Sequence, residues 1–357
     1  MTITHVTTTP LDQRVVDATV GTLELFGIYL GDRLGLYEAL RGRGGLTAAE
    51  LAEGTGVALR YAREWLEQQA VAGVLTVDDV NATAEARRYS LPEAHAGVLA
   101  DPLALDHLAP MARMVVGIAS VLDEVVAAYR TGTGVPYSRY GRDFRTGQGA
   151  INRPTFTSAL VEEWLPALGH PAERLAGGGR LADIGCGQGW STLAVARAYP
   201  NAEVLGVDTD VASIAEARAA ATEQGLRTRF ECVDATALAS EGPFEVVLLL
   251  EALHDLARPI EVLAAARAAL AFGGAMLVAD EAVAPTFTAP GDDLERMMYG
   301  WSITHCLPAA MADRPSAAIG TVIRESTVRA LAGEAGFSRV DVLDVDGGFF
   351  RLYALRP

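Results

Sequence analysis

Three glycines at alternate positions follow a short apolar run in the second half of the 357-residue sequence. They are Gly185, Gly187 and Gly189, and residues 181–184 before them are predicted to form a strand. Glycines let a backbone turn tightly and approach a ligand closely, because no Cβ is in the way. A helical pattern follows, so the sequence predicts a strand-to-helix turn that holds a nucleotide. We interpret Asp183 as an anchor of this turn, because a buried carboxylate needs hydrogen-bond partners.

Acidic residues end the next two predicted strands. Asp208 follows residues 202–207, about nineteen residues beyond the last glycine, where a carboxylate can accept hydrogen bonds from ribose hydroxyls. Asp234 follows residues 228–233, where it could meet an adenine amino group. The dinucleotide pattern of dehydrogenases would need its third glycine at position 190, but that residue is Trp190. The glycines and acids therefore predict a nucleoside site that is not of the dehydrogenase type.

A histidine–aspartate pair follows the fourth predicted strand. Residues 244–250 are nearly all apolar, as expected of a strand buried on both faces, and Glu251, His254 and Asp255 come just after them. In open α/β sheets the ligand crevice lies at the carboxyl ends of the strands. Histidine has an unperturbed pKa of roughly 6.5, so His254 could accept a proton from an acceptor hydroxyl near neutrality. The alternative is that His254 only bonds a neighbouring loop.

The elements that must position these residues differ between the two halves of the sequence. From about residue 177, strands alternate with alanine-rich helices, which predicts an α/β fold with a doubly wound, mainly parallel sheet. The first half is predicted to be all-helical apart from a small wing. We expect a winged-helix domain over residues 1–100, a helical connector over 101–170 that contributes to the substrate pocket, and the α/β domain over 171–357 with an insertion at 284–320.

The predicted winged helix rests on local signals. Apolar residues at three- and four-residue spacing predict one amphipathic helix over residues 12–40. A capping box from Thr47 to Glu50 predicts the start of the next helix, and a further helix extends to about residue 72. Two short strands would complete the domain, at residues 74–77 and 88–91. After the wing, residues 102–130 and 152–168 are predicted to be helices separated by a glycine-rich, aromatic loop.

Composition and charge exclude several function classes. The sequence has 45 acidic and 29 basic residues, a formal charge of −16, and such a balance repels nucleic acid and anionic membranes on average. Every basic residue is arginine, so the chain has no lysine for Schiff-base chemistry or for a phosphate-binding P-loop. A cationic or neutral small molecule is therefore the expected partner.

Cysteine usage and the ends of the sequence point to the cytoplasm. Cys186, Cys232 and Cys306 are three widely spaced cysteines, which indicates reduced thiols rather than a disulfide framework. No spacing of Asp, His or Cys suggests a dedicated metal site, so no metal is expected. No apolar run approaches the ~20 residues of a membrane-spanning helix, and residues 1–10 lack the features of a signal peptide.

The motifs taken together resemble one enzyme family. Residues 183–189, Asp208, Asp234, residues 253–255 and residues 277–280, in this order and spacing, are similar to those of class I S-adenosylmethionine-dependent methyltransferases. The resemblance is strongest to the winged-helix O-methyltransferases of plants and bacteria, and it covers almost the whole sequence. It includes the winged helix, which in that family mostly mediates dimerisation. It also includes two C-terminal strands, which in the family form an antiparallel hairpin closing the sheet.

The resemblance implies S-adenosylmethionine as the cofactor and gives the motif residues roles. Gly185, Gly187 and Gly189 would contact its methionine and ribose regions, Asp208 the ribose and Asp234 the adenine. The resemblance also implies a homodimer formed through the N-terminal helical domain. The expected reaction is in-line attack by an acceptor oxygen, or by carbon or nitrogen, on the methyl carbon of the cofactor. The apolar insertion indicates a small hydrophobic or aromatic acceptor.

The resemblance further implies a general base. His254 matches this position, and Asp280 and Glu325 lie where carboxylates would orient it. The family usually continues the His-Asp pair with tryptophan and further acids, whereas Leu256 and uncharged or basic residues follow here. This departure leaves open which acceptor is methylated.

Two other functions stay open on the sequence. A helix-turn-helix regulator that senses a nucleoside would have the same two halves. It would need a basic face for DNA, however, and residues 41–100 hold six arginines and eight acidic residues. A relative that keeps the cofactor for a non-methylating reaction would have the same glycine turn.

Overall fold

The computed structural model describes residues 9–357, and the chain divides into two compact units. The first unit ends at Val116, and the second runs from Gly117 to Pro357. This boundary falls inside the predicted connector, and the predicted three-way division stays a prediction. Most of the N-terminal stretch on which the cytoplasmic expectation rests lies outside the described residues. Within residues 9–357, no helix is long and apolar enough to cross a membrane.

Two helices open the first unit. Helix α1 spans Leu11–Arg33 and α2 spans Leu36–Leu40. Gly35 between them has a φ of 67°, a left-handed conformation that glycine adopts without a Cβ clash. The single helix predicted over residues 12–40 is therefore wrong near its end, because the apolar spacing continues across a turn.

The winged helix is confirmed. The Thr47 side chain accepts a hydrogen bond from the Glu50 N–H, and the Glu50 carboxylate accepts one from the Thr47 N–H at 2.8 Å, which completes the predicted capping box. Two strands form the antiparallel wing. The elements after α2 are α3 (Ala48–Thr55), α4 (Leu59–Val71), β1 (Thr76–Val77), β2 (Tyr89–Ser90), α5 (Glu93–Ala100) and α6 (Pro110–Ala119).

One face of α1 is packed and the other is exposed. Trp65 of α4 donates a hydrogen bond from its indole N–H to the Gly27 carbonyl at 2.9 Å. A Cβ on Gly31 would come within 2.4 Å of the Tyr37 ring, so glycines allow this close approach. The exposed side chains of α1 include several large apolar ones, which are Leu11, Val15, Val16, Val20, Leu23 and Leu30.

The second unit is built on a seven-stranded sheet with the order β5-β4-β3-β6-β7-β9-β8. Five strands are parallel, and the last two pair antiparallel as a C-terminal hairpin, so the predicted fold class is confirmed. The strands are β3 (Arg180–Ile184), β4 (Glu203–Asp208), β5 (Thr228–Cys232), β6 (Phe244–Leu250), β7 (Leu270–Glu281), β8 (Arg339–Val342) and β9 (Phe350–Arg356).

Helices cover both faces of this sheet. In the central strand β6, Val247 and Leu249 join one apolar core while Val246 and Leu248 join the other, which explains the nearly continuous apolar sequence. In chain order, the helices that follow α6 are α7 (Leu122–Thr131), α8 (Gly141–Thr157), α9 (His170–Ala176), α10 (Trp190–Ala198), α11 (Val211–Glu223), α12 (Pro259–Ala269), α13 (Asp293–Trp301), α14 (Leu307–Ala310) and α15 (Glu325–Glu334).

The aromatic segment predicted to be a loop is largely helical. Residues Tyr137–Tyr140 form one 3₁₀ turn, and α8 follows at once. The prediction failed because the glycines of this segment hide its helical spacing, whereas burial of Phe144 and Phe156 stabilises the helix. The predicted helix over residues 152–168 is divided, because α8 ends at Thr157 and a short π-helical turn follows.

Candidate active site

A cavity of ≈ 400 Å³ lies at the carboxyl ends of the parallel strands in the second unit. Its walls are the glycine turn after β3, the loops after β4 and β6, and one face of α8. The volume is within the range of roughly 300–1,000 Å³ that small-molecule sites have. The lining is acidic, with a single arginine, Arg145, among the described residues. The acids are Asp208, Asp210, Glu251, Asp255 and Asp313.

The glycine turn has a backbone that favours glycine at each predicted position. The φ angles are 67° at Gly185, 51° at Gly187 and 79° at Gly189. A Cβ on Gly189 would lie 2.7 Å from the Phe230 ring, whereas a Cβ on Gly187 would meet no atom within 4 Å. Gly185 and Gly187 line the cavity, and Gly189 is needed for close packing behind it.

Asp208 lines the cavity at the end of β4 and also holds the glycine turn. Its carboxylate accepts hydrogen bonds from the N–H groups of Gly187 and Asp210, both at 2.8 Å. Burial raises the pKa of Asp208, although these hydrogen bonds act against the shift. Each carboxylate oxygen has a further lone pair, so ribose hydroxyls can still bind.

Asp183 takes the anchoring position expected from the sequence. It is 1% exposed and is not among the residues that line the cavity. Its carboxylate accepts hydrogen bonds from the hydroxyls of Ser191 at 2.5 Å and Thr192 at 2.6 Å. Burial raises the pKa of Asp183 to about 6. The strand end and the first turn of α10 are thereby tied together.

Asp234 is not brought to the cavity. It accepts a hydrogen bond from the Thr236 N–H at 2.9 Å and pairs with Arg258 at 2.8 Å, on an exposed part of the surface. The hydrogen bonds from Thr236, together with Arg258, hold the pKa of Asp234 below its usual range. The predicted contact with adenine stays a prediction.

Glu251 follows β6 and lines the cavity in an unusual conformation. Its φ is 52°, a left-handed value that costs a non-glycine residue about 1–3 kcal/mol. The side-chain amide of Asn152 in α8 donates a hydrogen bond to its carboxylate. Burial raises the pKa of Glu251 to about 7, and the Asn152 hydrogen bond acts against this shift. Glu251 is therefore a carboxyl group at the cavity wall whose neutral form is favoured by burial.

His254 lies between two acids and is 2% exposed. Its Nδ1 is 2.7 Å from Asp280 and its Nε2 is 3.4 Å from Asp255. Burial lowers the pKa of His254, but the two carboxylates outweigh it, so the pKa lies well above its usual value. His254 is not among the residues that line the cavity. Asp280 contacts His254 as the resemblance implies, and the general-base role of His254 stays a prediction.

Glu325 is not brought to the histidine, which corrects the expected orienting contact. Its carboxylate accepts a hydrogen bond from Arg329 at 2.8 Å at the start of α15, and both ring nitrogens of His254 face other acids. Glu281 joins the cluster instead. It is 3% exposed, its Oε2 has no hydrogen-bond partner, and burial raises its pKa well above the usual value.

Aromatic rings surround the second buried histidine of this region. His305 stacks on Phe144 with 3.8 Å between ring centroids and meets Tyr140 edge-on at 4.4 Å. Burial lowers the pKa of His305 to about 3, so its ring is neutral. Tyr137 lines the cavity beside this cluster and donates its hydroxyl hydrogen bond to Gln148 at 3.0 Å.

The connector over residues 101–170 is expected to contribute to the substrate pocket, but the sequence does not indicate which residues of α8 do so. Arg145, Gln148, Gly149 and Asn152 all line the cavity, and their spacing of three, one and three residues places them on one helix face. That spacing is the signal in the sequence, but the surrounding glycines hide it. Sequence spacing also missed that ligand-type atoms of His254, Asp255 and Cys306 lie within 4.8 Å of one another.

Two family models match the chain, one in each unit. Residues 181–274 match a methyltransferase domain, and residues 22–101 match an Rv2258c-like winged helix-turn-helix domain. The second unit contains a methyltransferase domain. The glycine turn, Asp208, Asp234 and His254 all fall within its matched span. The resemblance drawn from the sequence is therefore confirmed for both domains.

Curated relatives match over part of the chain. The ubiquinone biosynthesis O-methyltransferase of Roseobacter denitrificans is 42% identical over 96 residues, which are 27% of this chain and 38% of the relative. The enzyme of the same name from a Caulobacter species is 40% identical over 102 residues, which are 28% of this chain and 40% of the relative. The match thus spans about two-fifths of these relatives.

Solved structures resemble the whole chain. The mitomycin 7-O-methyltransferase MmcR is 21% identical with a TM-score of 0.67, and the match covers 97% of each chain. Human N-acetylserotonin methyltransferase, solved with S-adenosylmethionine, is 16% identical with a TM-score of 0.70 over 98% of each chain. PigF, solved with S-adenosylhomocysteine, is 19% identical with a TM-score of 0.72 over 97% of this chain and 99% of its own. These likenesses show the fold.

Proposed function

We propose that this protein is an S-adenosylmethionine-dependent methyltransferase that acts on a small molecule. The observation that carries the proposal is the cavity of the methyltransferase domain, where an open glycine turn is hydrogen-bonded to the carboxylate of Asp208. Glycine turns of this kind, followed by an acid on the next strand, bind nucleosides. The solved relatives that hold S-adenosylmethionine or its demethylated product support the choice of nucleoside.

The residues of the cavity fit this cofactor. Gly187 faces open space into which any Cβ would project, the oxygens of Asp208 keep free lone pairs, and the indole N–H of Trp190 has no partner. The acidic lining suits a ligand with a positively charged sulfur. Gly185, Gly187 and Asp208 would hold the methionine and ribose regions. Asp234, which lies outside the cavity, would contact the adenine.

S-adenosylmethionine supplies a methyl group that is electrophilic because it is bound to a sulfonium. The protein must then align an acceptor with that methyl group and, for a hydroxyl, remove a proton. Apolar side chains on the cavity wall support a hydrophobic or aromatic acceptor, and the names of the O-methylating relatives support oxygen as the attacking atom. The apolar or aromatic lining residues include Tyr137, Phe156, Leu250, Leu256 and Ala309.

A homodimer is part of this proposal. The exposed face of α1 carries apolar residues along its 23 residues, including Leu11 at 72% and Leu23 at 60% exposure. Exposed apolar patches of this kind usually mark interfaces. We propose that a second copy of the chain covers this face. Light scattering of the full chain tests it, since the variant Val16→Glu with Leu23→Glu should be monomeric and a monomeric wild type would contradict it.

Methyl transfer itself is tested with a labelled donor. The purified protein is incubated with methyl-labelled S-adenosylmethionine and the small-molecule fraction of its native cells, and mass spectrometry follows the label. We expect a labelled product together with an equal amount of S-adenosylhomocysteine, and much less of both with the Asp208→Ala variant at a donor concentration near the wild-type KM. Binding of the donor without any transfer of label would instead support a non-methylating relative.

A further inference from the structure

The loop after β6 presents two carboxylates to the cavity, while the histidine between them is turned away. Glu251 and Asp255 are lining residues, and His254 is not. One oxygen of Asp255 faces Nε2 of His254 at 3.4 Å, so this acid has the histidine as its partner. Glu251 has an amide partner instead, the side chain of Asn152. Glu251 is therefore the carboxylate of this loop that lines the cavity without pairing with His254.

The backbone holds Glu251 in this position at a cost. Its φ of 52° is left-handed, and its N–H donates to the Ala279 carbonyl at 2.8 Å. Strained residues of this kind cluster at functional sites, where the surrounding structure fixes them. The hydrogen bond from α8 fixes the side chain as well. Both restraints hold the Glu251 carboxyl group on the loop after β6. This loop lies against the glycine turn, since a Cβ on Gly185 would lie 3.0 Å from the Ala252 side chain.

The charged groups around Glu251 have opposite effects on it. His254 favours its ionised form, whereas Asp255 and Asp280 disfavour that form. Glu281, buried on β7 with an unpartnered oxygen, interacts with Glu251 in the same unfavourable sense. A further positive charge in the cavity would favour the carboxylate.

We propose that Glu251 is the catalytic proton acceptor of the methyl transfer and that His254 is a positioning residue, a cation that holds the acids behind it. This inference rests on the proposed function. The acceptor O–H bond breaks and its proton passes to the Glu251 carboxylate. The acceptor oxygen forms a bond to the methyl carbon as the methyl–sulfur bond breaks, with that electron pair left on sulfur. The proton then leaves Glu251 for solvent through the cavity.

The proposal has a consequence that needs no acceptor. A sulfonium near Glu251 should drive its proton off, whereas the neutral sulfur of S-adenosylhomocysteine should not. Calorimetric titration at pH 7, in buffers of different ionisation enthalpy and with a chelator present, measures the protons released on binding. We expect the wild type to release about half a proton more with S-adenosylmethionine than with S-adenosylhomocysteine.

Two variants isolate the source of that proton. Glu251→Gln keeps the side-chain shape and an oxygen that can accept from Asn152, but it cannot titrate. The difference in proton release between the two ligands should therefore fall, and only the part that comes from the ligands' own amino groups should remain. Glu223→Gln, exposed on α11, should behave as the wild type. An unchanged difference in Glu251→Gln would overturn the proposal. Absence of binding by the wild type would instead overturn the proposed function.

The catalytic half of the proposal is tested on any hydroxyl compound that the wild type methylates. Glu251→Gln should lower kcat about a hundredfold or more, with KM for the donor little changed, and Glu251→Asp should recover part of the loss. Wild-type kcat/KM for the donor should rise with pH through about 7, because that ratio reports the ligand-free protein, in which no sulfonium lowers the pKa of Glu251. Full activity of Glu251→Gln would contradict the proposal even if the proton release followed expectation.

Discussion

The buried carboxylates at the two ends of the cavity differ in their hydrogen-bond partners. At the glycine turn, both oxygens of Asp208 accept backbone hydrogen bonds, and Asp183 accepts two from hydroxyls. In the acid–histidine cluster, Asp255, Asp280 and Glu281 each have a buried oxygen without a hydrogen-bond partner. The carboxylates of the first end have hydrogen-bond partners before any ligand arrives, whereas the acids of the second end lie around His254.

This difference suggests that the two ends of the cavity have different functions. A fully hydrogen-bonded turn is rigid and suits recognition of the constant part of a ligand. A cluster with surplus negative charge is sensitive to any positive charge that enters. We infer that the glycine-turn end binds the nucleoside and that the cluster end responds to the sulfonium and to the acceptor's proton.

The largest expected effect comes from replacing the histidine at the centre of the cluster. His254→Gln should lower the free energy of unfolding by about 3–5 kcal/mol, because buried carboxylates lose their counter-charge. For a unit of this size the melting temperature should fall by roughly 10 °C. The loss should be smaller at pH 5 than at pH 8, since the acids can then take up protons. Thermal melts measure it, with the exposed His170→Gln as the matched control. A melting temperature of His254→Gln equal to that of the wild type would contradict a structural role of His254.

The next effect tests the glycine-turn end. Asp208→Ala should weaken binding of S-adenosylmethionine by about 2 kcal/mol, roughly 30-fold, because two ribose hydrogen bonds and the bond to Gly187 are lost. Calorimetry decides it, with Asp293→Ala, whose side chain is 95% exposed, as control. Equal weakening of S-adenosylhomocysteine is expected, since both share the ribose. Unchanged affinity in a folded variant would reject this assignment.

The smallest effect sharpens the account of Glu251. The Asn152 hydrogen bond lowers the pKa of Glu251, so Asn152→Ala should raise that pKa. Proton release on donor binding should then reach its midpoint at a higher pH than in the wild type. Calorimetry over pH 6–9 measures the shift, and Asn201→Ala on the surface should leave it in place. A shift to lower pH would contradict the hydrogen-bond geometry.

The glycine-turn end of the cavity could be predicted from the sequence, whereas the acid–histidine cluster could not. Gly185, Gly187, Asp183 and Asp208 lie within one βαβ unit, so their roles depend on local spacing, and the structure places them close together. The sheet and winged helix were predictable for the same reason. Glu325 was misplaced because its expected contact depends on how α15 packs, which no local pattern encodes.

The cluster could not be assembled from the sequence. Asn152 and Glu251 are far apart in the chain and meet only because α8 packs across the loop after β6. The charge state of His254 depends on Asp280 and Asp255 together, and motif matching does not weigh burial against two neighbouring acids. A residue's type indicates what chemistry it can do, while its neighbours decide which form it takes.

A crystal structure of the protein with bound S-adenosylhomocysteine tests the central claim most directly. We expect the ribose hydroxyls on Asp208, the nucleoside against the glycine turn, and the sulfur on the side of the cavity where Glu251 lies. His254 should remain between Asp280 and Asp255 with no ligand atom in contact. A ligand bound elsewhere, or a His254 ring that turns to face the sulfur while Glu251 points away, would contradict the account.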